Sequence, residues 1–296
     1  MDLLTLSSTL LTISALFAYL NYRLFKLPTT IGIMVISLLF SVVLVILARF
    51  GFSEGIDYAR GVVGQIDFNE ALMQGMLAWL LFAGALHVNL GELIDKRWVV
   101  GLLASVGVIT STFIVGFGSW YVLGWIGFEL PFIYCLLFGS LISPTDPVAV
   151  MGVLKTAGAT KSLETKIAGE SLFNDGVAIV VFLVIFGIAV NGDPVEVVHI
   201  GSLFLQEAVG GALFGMVIGY LVMQMLKRVD NYQVEVLLTL ALVGGGSTAA
   251  GMMHISAPIA VVVAGLIIGN HARRDAMSDK TRERLDTFWE LLDEIL

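Results

Sequence analysis

Charge is what this sequence has least of. Asp, Glu, Lys and Arg make up only 14% of its 296 residues, against roughly 25% in an ordinary soluble domain. With 57% of the residues hydrophobic, that scarcity excludes a soluble globular fold. Cysteine is nearly absent. Cys135 stands alone in an apolar run, which excludes a disulfide framework and any cysteine-spaced metal site. The four histidines, His87, His199, His254 and His271, are scattered with no HxxxH pair, and they read as residues of helix ends and loops. A formal net charge of -8 offers no basic surface for nucleic acid. Proline is also sparse, at six residues, yet Pro144 and Pro147 fall three apart.

Long apolar runs are abundant. A stretch of about 20 apolar residues spans a bilayer as a helix. Nine such runs are read, over 3–20, 27–47, 71–87, 99–123, 132–154, 167–190, 200–226, 234–253 and 258–269. The fold class is therefore an all-α polytopic membrane protein with about nine transmembrane helices. The first run lacks a basic leading segment and a small-residue cleavage site, so it reads as a retained helix. Residues 281–296, with Trp289, Leu291, Leu292, Ile295 and Leu296 apolar, read as the start of a tenth helix. The chain reads as C-terminally truncated.

Basic residues orient these helices, because cytoplasmic loops collect Lys and Arg. Alternate loops hold Arg23 and Lys26; Lys96 and Arg97; Lys155, Lys161 and Lys166; Lys227 and Arg228; and Arg273, Arg274, Lys280, Arg282 and Arg284. Only Arg49 and Arg60 fall on the other side. The expectation is a multi-pass cell-membrane protein with its N-terminus outside. Residues 50–67 are expected to form an external loop. Gly211, Gly215 and Gly219 recur at four-residue spacing and predict a close-packing helix face. Gly244, Gly245 and Gly246 either loosen their helix or mark a close approach.

The polar residues inside the fifth and sixth runs carry the chemistry. Ser143-Pro-Thr-Asp-Pro147 interrupts the fifth. Each proline lacks a donor N–H and clashes with the preceding turn, and Asp146 before Pro147 is pushed toward extended backbone. The sequence thus breaks a helix at membrane depth beside a carboxylate. Such backbone is tolerated only where it is buried in protein or lines a cavity. Freed carbonyls, Asp146, Thr145 and Ser143 are suitable oxygen ligands for a hard cation such as Na+. In the sixth run, Ser171 and Asp175 are four apart and share a face, as do Glu170 and Asn174. Asp175 with Ser171 is expected to face one cavity, while Asn174 turns sideways to hydrogen-bond the broken helix. Ionisable residues in hydrocarbon mark ion or proton paths. Burial disfavours a charged carboxylate, so a buried one holds a proton that an arriving cation must displace. One site with two mutually exclusive occupants is the minimal machinery for exchange.

Four stretches resemble the monovalent cation/proton antiporter family, specifically its electroneutral sodium/proton exchangers of bacterial and archaeal type. They are Ser143-Pro-Thr-Asp-Pro-Val-Ala-Val150, Gly169-Glu-Ser-Leu-Phe-Asn-Asp-Gly-Val177, Leu80-Leu-Phe-Ala-Gly-Ala-Leu86 and Ser256-Ala-Pro-Ile-Ala-Val-Val-Val-Ala-Gly265. The Asn174-Asp175 pair carries the electroneutral assignment, since the electrogenic branch has two adjacent aspartates there. The resemblance implies the N-terminal part of a thirteen-helix antiporter fold. It divides the chain into interface and dimerisation helices over 1–97, an ion-binding core over 98–190, further interface helices over 191–270, and a cytoplasmic loop with the start of the next helix over 271–296. It implies exchange of Na+ or Li+ for H+ by alternating access, with cation and proton competing for Asp175. Asp146, Ser171 and the Thr145 carbonyl would complete the Na+ site, and Glu170 would assist through water. Asn174, Ser143, Pro144 and Pro147 would support it. Monovalent cations, membrane lipid and a second copy in a homodimer are the implied partners, with no cofactor and no enzymatic reaction.

Three other readings compete. K+ could replace Na+, since these oxygens do not separate the two ions. The chain could be a non-transporting ion sensor or an inactive fragment. Asp146 and Asp175 on consecutive helices also superficially suit an intramembrane aspartyl protease, whose carboxylates share a proton, but its Gly-x-Gly-Asp and Tyr-Asp settings are missing.

Overall fold

The computed structural model describes residues 3–64, 76–145, 160–191, 197–272 and 279–295. Among the described residues every regular element is helical. The chain divides into two compact units, one of Met1–Met76 with Leu291–Leu296 and one of Leu77–Glu290.

In the first unit, α1 (Leu3–Leu20) packs on α2 (Thr29–Arg49), with the Phe17 and Phe40 rings edge to face at 5.5 Å. The turn between them is pinned by Asn21. Its amide donates to the Leu27 carbonyl at 2.8 Å and accepts from the Leu27 N–H at 3.3 Å. Residues 50–67, expected as loop, contain a short helix α3 (Glu54–Val63). Its sequence explains the difference: Glu54 and Asp57 lie in the first turn and Arg60 in the last, where each sign suits the helix dipole.

In the second unit the helices are α4 (Leu77–His87), the short α5 (Leu90–Asp95), α6 (Arg97–Trp125), α7 (Phe132–Ile142), α8 (Lys161–Phe186), α9 (Val197–Phe204), α10 (Gly210–Leu226), α11 (Tyr232–Met252) and α12 (Ala257–Ile267), followed by α13 (Asp279–Ile295), which belongs to this unit as far as Glu290. Helix starts follow the sparse prolines. Pro28 and Pro131 immediately precede α2 and α7, and Pro258 lies in the first turn of α12, where the missing N–H costs nothing. Ser256 caps α12 by accepting from the Ile259 N–H at 3.3 Å. Five described helices are long and apolar enough to cross a membrane. The predicted runs agree with these elements to within a few residues, except where 71–75 and 146–154 lie outside the described residues.

Small residues set how the spans cross. A Cβ on Gly211 would lie 2.7 Å from the Ser256 carbonyl oxygen, one on Gly219 2.9 Å from Ala264 Cα, and Gly215 backs onto the Ala260 backbone. The predicted glycine face of α10 is thus the seam against α12. Gly265 and Gly269 do the same against Phe82, Ala85 and Leu86 of α4, and α12 lies between the two. Helix α11 runs unbroken through Gly244–Gly246, and Gly246 faces the Ile218 side chain. Close approach explains Gly246, whereas Gly244 only borders the Trp79 ring and Gly245 has nothing within 4 Å of an added Cβ. Asn270 ties the end of α12 to the α4–α5 turn. It donates to the Val88 and Leu266 carbonyls, both at 2.9 Å, and accepts from the Leu90 N–H at 2.8 Å.

Residues 281–295 of the run expected to begin a tenth helix belong to α13, which is amphipathic. Thr281, Leu285 and Trp289, spaced by four, are buried, while Arg282, Glu283 and Arg284 are exposed. Trp289 is fully buried against Trp79 and Phe82, and its indole N–H donates to Thr239 at 3.1 Å. His87, at the end of α4, contacts Glu290 at 3.7 Å.

Candidate functional site

Helix α7 stops where the sequence predicts a break. Its last residue is Ile142, and Pro144 cannot continue the ladder. Gly139, one turn earlier, lies against the backbone of α6 at Thr112 and Gly116, so only a residue without a side chain fits that crossing. The close approach brings Thr112, itself buried, to donate to the Ser143 hydroxyl at 3.3 Å, and Ser143 donates to the Gly139 carbonyl at 2.7 Å. The end of α7 is therefore held to α6 by a buried hydroxyl pair. Sequence reading missed Thr112, because a lone threonine in an apolar helix gives no signal of its own.

The segment after the break meets α8 at Thr145. The Asn174 amide donates to Thr145 Oγ1 at 2.8 Å and to the Thr145 carbonyl at 3.4 Å, and also to Glu170 Oε1 at 2.9 Å. The Thr145 hydroxyl in turn donates to the Glu170 carboxylate, 3.3 Å from Oε1 and 3.2 Å from Oε2, and lies 3.5 Å from Ser171 Oγ. Thr145, Glu170, Ser171 and Asn174 thus form one hydrogen-bonded cluster where the segment after α7 meets the membrane-length helix α8. Glu170 contacts its neighbours directly. Asn174 is fully buried and Ser171 nearly so. The Asn174 side-chain Oδ1 is buried with no hydrogen-bond partner among the described residues, which is uncommon for a buried polar atom.

Asp175 is half-buried on α8, one turn beyond Ser171. Gly176 beside it lies against Ile259, where a Cβ would come within 2.6 Å of the side chain; this contact brings α8 up to α12. Asp146 and Pro147 lie outside the described residues. The structure brings together Ser143, Pro144, Thr145, Glu170, Ser171 and Asn174 at the junction of α7 with α8, with Asp175 on the same helix.

An arrangement of a helix end, hydroxyls and carboxylates beside a membrane-length helix can bind a hard cation and hold a proton. Comparison with known proteins bears on the family. The family described as sodium/hydrogen exchanger, transmembrane, matches residues 11–296. The chain is 52% identical over 294 residues to the Na(+)/H(+) antiporter NhaP of Pseudomonas aeruginosa, covering 99% of this chain and 69% of that protein. It is 30% identical over 272 residues to the Na(+)/H(+) antiporter NhaH of Halobacillus aidingensis, covering 90% of this chain and 64% of the relative. The solved structure of the sodium proton antiporter MjNhaP1 from Methanocaldococcus jannaschii at pH 8 matches with a TM-score of 0.71 at 20% identity, over all of this chain and 68% of that one. That likeness is one of fold. The chain spans about two thirds of the length of these relatives. With the family matched over nearly its whole length, this multi-pass membrane chain belongs to the sodium/hydrogen exchanger family.

Proposed function

We propose that this protein is a secondary transporter, not an enzyme, that exchanges Na+ or Li+ for H+ across the cell membrane. The observation that carries the reading is the cluster that Thr145, on the segment after α7, forms with Glu170, Ser171 and Asn174 of the membrane-length helix α8, which also carries Asp175. Its relatives' names as Na(+)/H(+) antiporters support the choice of ions. Asp175 is the carrier. It holds either a cation or a proton, and each occupant expels the other because both need the same oxygens. Ser171, the Thr145 carbonyl and Asp146 supply the remaining ligands. Asn174 spends its amide donors on Thr145 and Glu170, which keeps the segment after α7 registered against α8. An amide at that position adds no second titrating charge beside Asp175. The site therefore carries the same charge in both directions, and exchange is electroneutral.

Residues 98–190 form the moving core, and residues 1–97 and 191–270 form the more static interface that pairs two copies. The N-terminus faces outside, as the distribution of Lys and Arg favours.

The test is proton movement in proteoliposomes holding the full-length protein, read by a trapped pH dye after a Na+ jump. Exchange by the native protein and silence of Asp175→Ala, with both proteins monodisperse, is the expected result. Exchange surviving in Asp175→Ala removes the carrier assignment, and a response to K+ alone replaces Na+ by K+.

A further inference from the structure

The second unit holds an apolar cavity of about 480 Å3, within the roughly 300–1,000 Å3 of small-molecule sites. It lies beside the cluster without sharing it. Phe173 and Val177, four apart on one face of α8, line it, whereas Thr145, Glu170, Ser171 and Asn174 do not. The first turns of α6, from Arg97 to Ala104, run along another wall for about 10 Å at 1.5 Å per residue. Ala212 of α10 and Ile259 of α12 form further parts of the lining.

Among the described residues one lining side chain is polar, and it is Arg97. It stands at the end of the long apolar helix α6, exposed together with its neighbour Ile94. Its guanidinium donates to the Ile94 carbonyl at 3.1 Å and lies 6.0 Å from the ring centroid of Trp98, which is 80% exposed. Among the described residues no carboxylate pairs with Arg97. A guanidinium has five N–H donors in a fork that matches phosphate oxygens, so most of its donors are unspent. Exposed tryptophan beside Lys96 and Arg97 at a helix end marks the headgroup level of a bilayer.

A dry apolar cavity with one unpaired cation at its rim fits an amphiphile with an anionic head. Water is disfavoured there because the walls supply almost no polar partners. We propose that this cavity binds one acyl chain of an anionic glycerophospholipid whose phosphate is held by Arg97. Walls drawn from α5, α6, α8, α10 and α12 would make the bound chain part of the packing between these helices.

The experiment is native mass spectrometry of the full-length protein in micelles containing equimolar phosphatidylglycerol and phosphatidylcholine of matched chains. Native protein is expected to retain phosphatidylglycerol about fivefold over phosphatidylcholine, as one cation near an anionic head supplies. Arg97→Gln should bring the two lipids to parity, and Arg97→Lys should restore part of the preference. Ala104→Phe, or Ala212→Phe on a different helix should the first not fold, should cut retention of both lipids. Equal retention by the native protein, an unchanged preference in Arg97→Gln, or unchanged retention in the folded cavity-filling variant would each overturn the site. Displacement of phosphatidylglycerol by an equal amount of oleate would also overturn it, since the phosphate would then contribute nothing.

Discussion

The Asn174 amide nitrogen sits 2.8 Å from the Thr145 hydroxyl, bridging 29 residues of sequence to tie the broken end of α7 to the middle of α8. The same amide reaches Glu170 one turn back on its own helix. A single side chain therefore holds the helix break in register with the acidic helix.

Replacing Asn174 with Ala leaves Thr145 and Glu170 without their shared donor. Losing a buried hydrogen-bonding partner costs about 1–3 kcal/mol. Asn174→Ala is expected to lower the thermal midpoint in detergent and to slow Na+-driven proton movement by at least about tenfold, the equivalent of 1.4 kcal/mol in the barrier. Stopped-flow dye traces on matched proteoliposomes measure the second effect. Native rates in Asn174→Ala would deny the residue any part in holding the site.

The α10–α12 seam predicts a steep steric penalty. Gly215 backs onto the Ala260 backbone, whereas Gly118 on α6 has nothing within 4 Å of an added Cβ. Gly215→Val should abolish a monodisperse peak on size-exclusion chromatography, because backbone cannot yield as a flexible side chain can. Gly118→Ala should be neutral or slightly stabilising, since Ala is a better helix former by about 1 kcal/mol. Equal profiles for the two variants would mean that the seam does not govern assembly.

Trp289 anchors α13 through ring packing and one hydrogen bond, and these separate by mutation. Trp289→Ala should cost about 3–5 kcal/mol of local packing, and Trp289→Phe should mainly lose the bond to Thr239, about 1 kcal/mol. Arg282 and Arg284 lie on the exposed face of α13. Trypsin cleavage at these residues should accelerate strongly in Trp289→Ala and weakly in Trp289→Phe. Identical digestion of all three proteins would show that α13 does not depend on this anchor.

Asn270 makes three hydrogen bonds between the end of α12 and the turn after α4. Asn270→Ala should speed amide hydrogen exchange across α5 while leaving the middle of α11 protected, as expected for local opening. A uniform rise over the whole chain would point to global destabilisation instead.

Much of the fold was legible from composition. Length and hydrophobicity locate a span whatever it packs against, because hydrocarbon demands internally satisfied backbone. The proline pair placed the stop at Ile142 by local sterics, whereas the starts of α2, α7 and α12 came from apolar length alone. The spacing of Ser171 with Asp175 and of Glu170 with Asn174 put each pair on a helical face. Helix α3 was missed because its ten residues hold three charges and too little apolar length to stand out from a loop. The start of a further helix at 281–295 was legible as α13, but its apolar residues show burial without showing which surface covers them.

The sequence by itself determined that this chain crosses a membrane repeatedly, that one crossing is broken at Ser143-Pro144, and that carboxylates lie at that depth. Tertiary structure decided which faces meet. Spanning helices are apolar on nearly all sides, so periodicity says little about contact. The contacts come from small residues that admit a neighbouring backbone and from polar groups that find partners far away in sequence. Gly139 against Thr112, Gly215 against Ala260, Thr145 within reach of Asn174 and Trp289 beneath Trp79 are all of this kind. None is written in local spacing, because each depends on two helices reaching the same place.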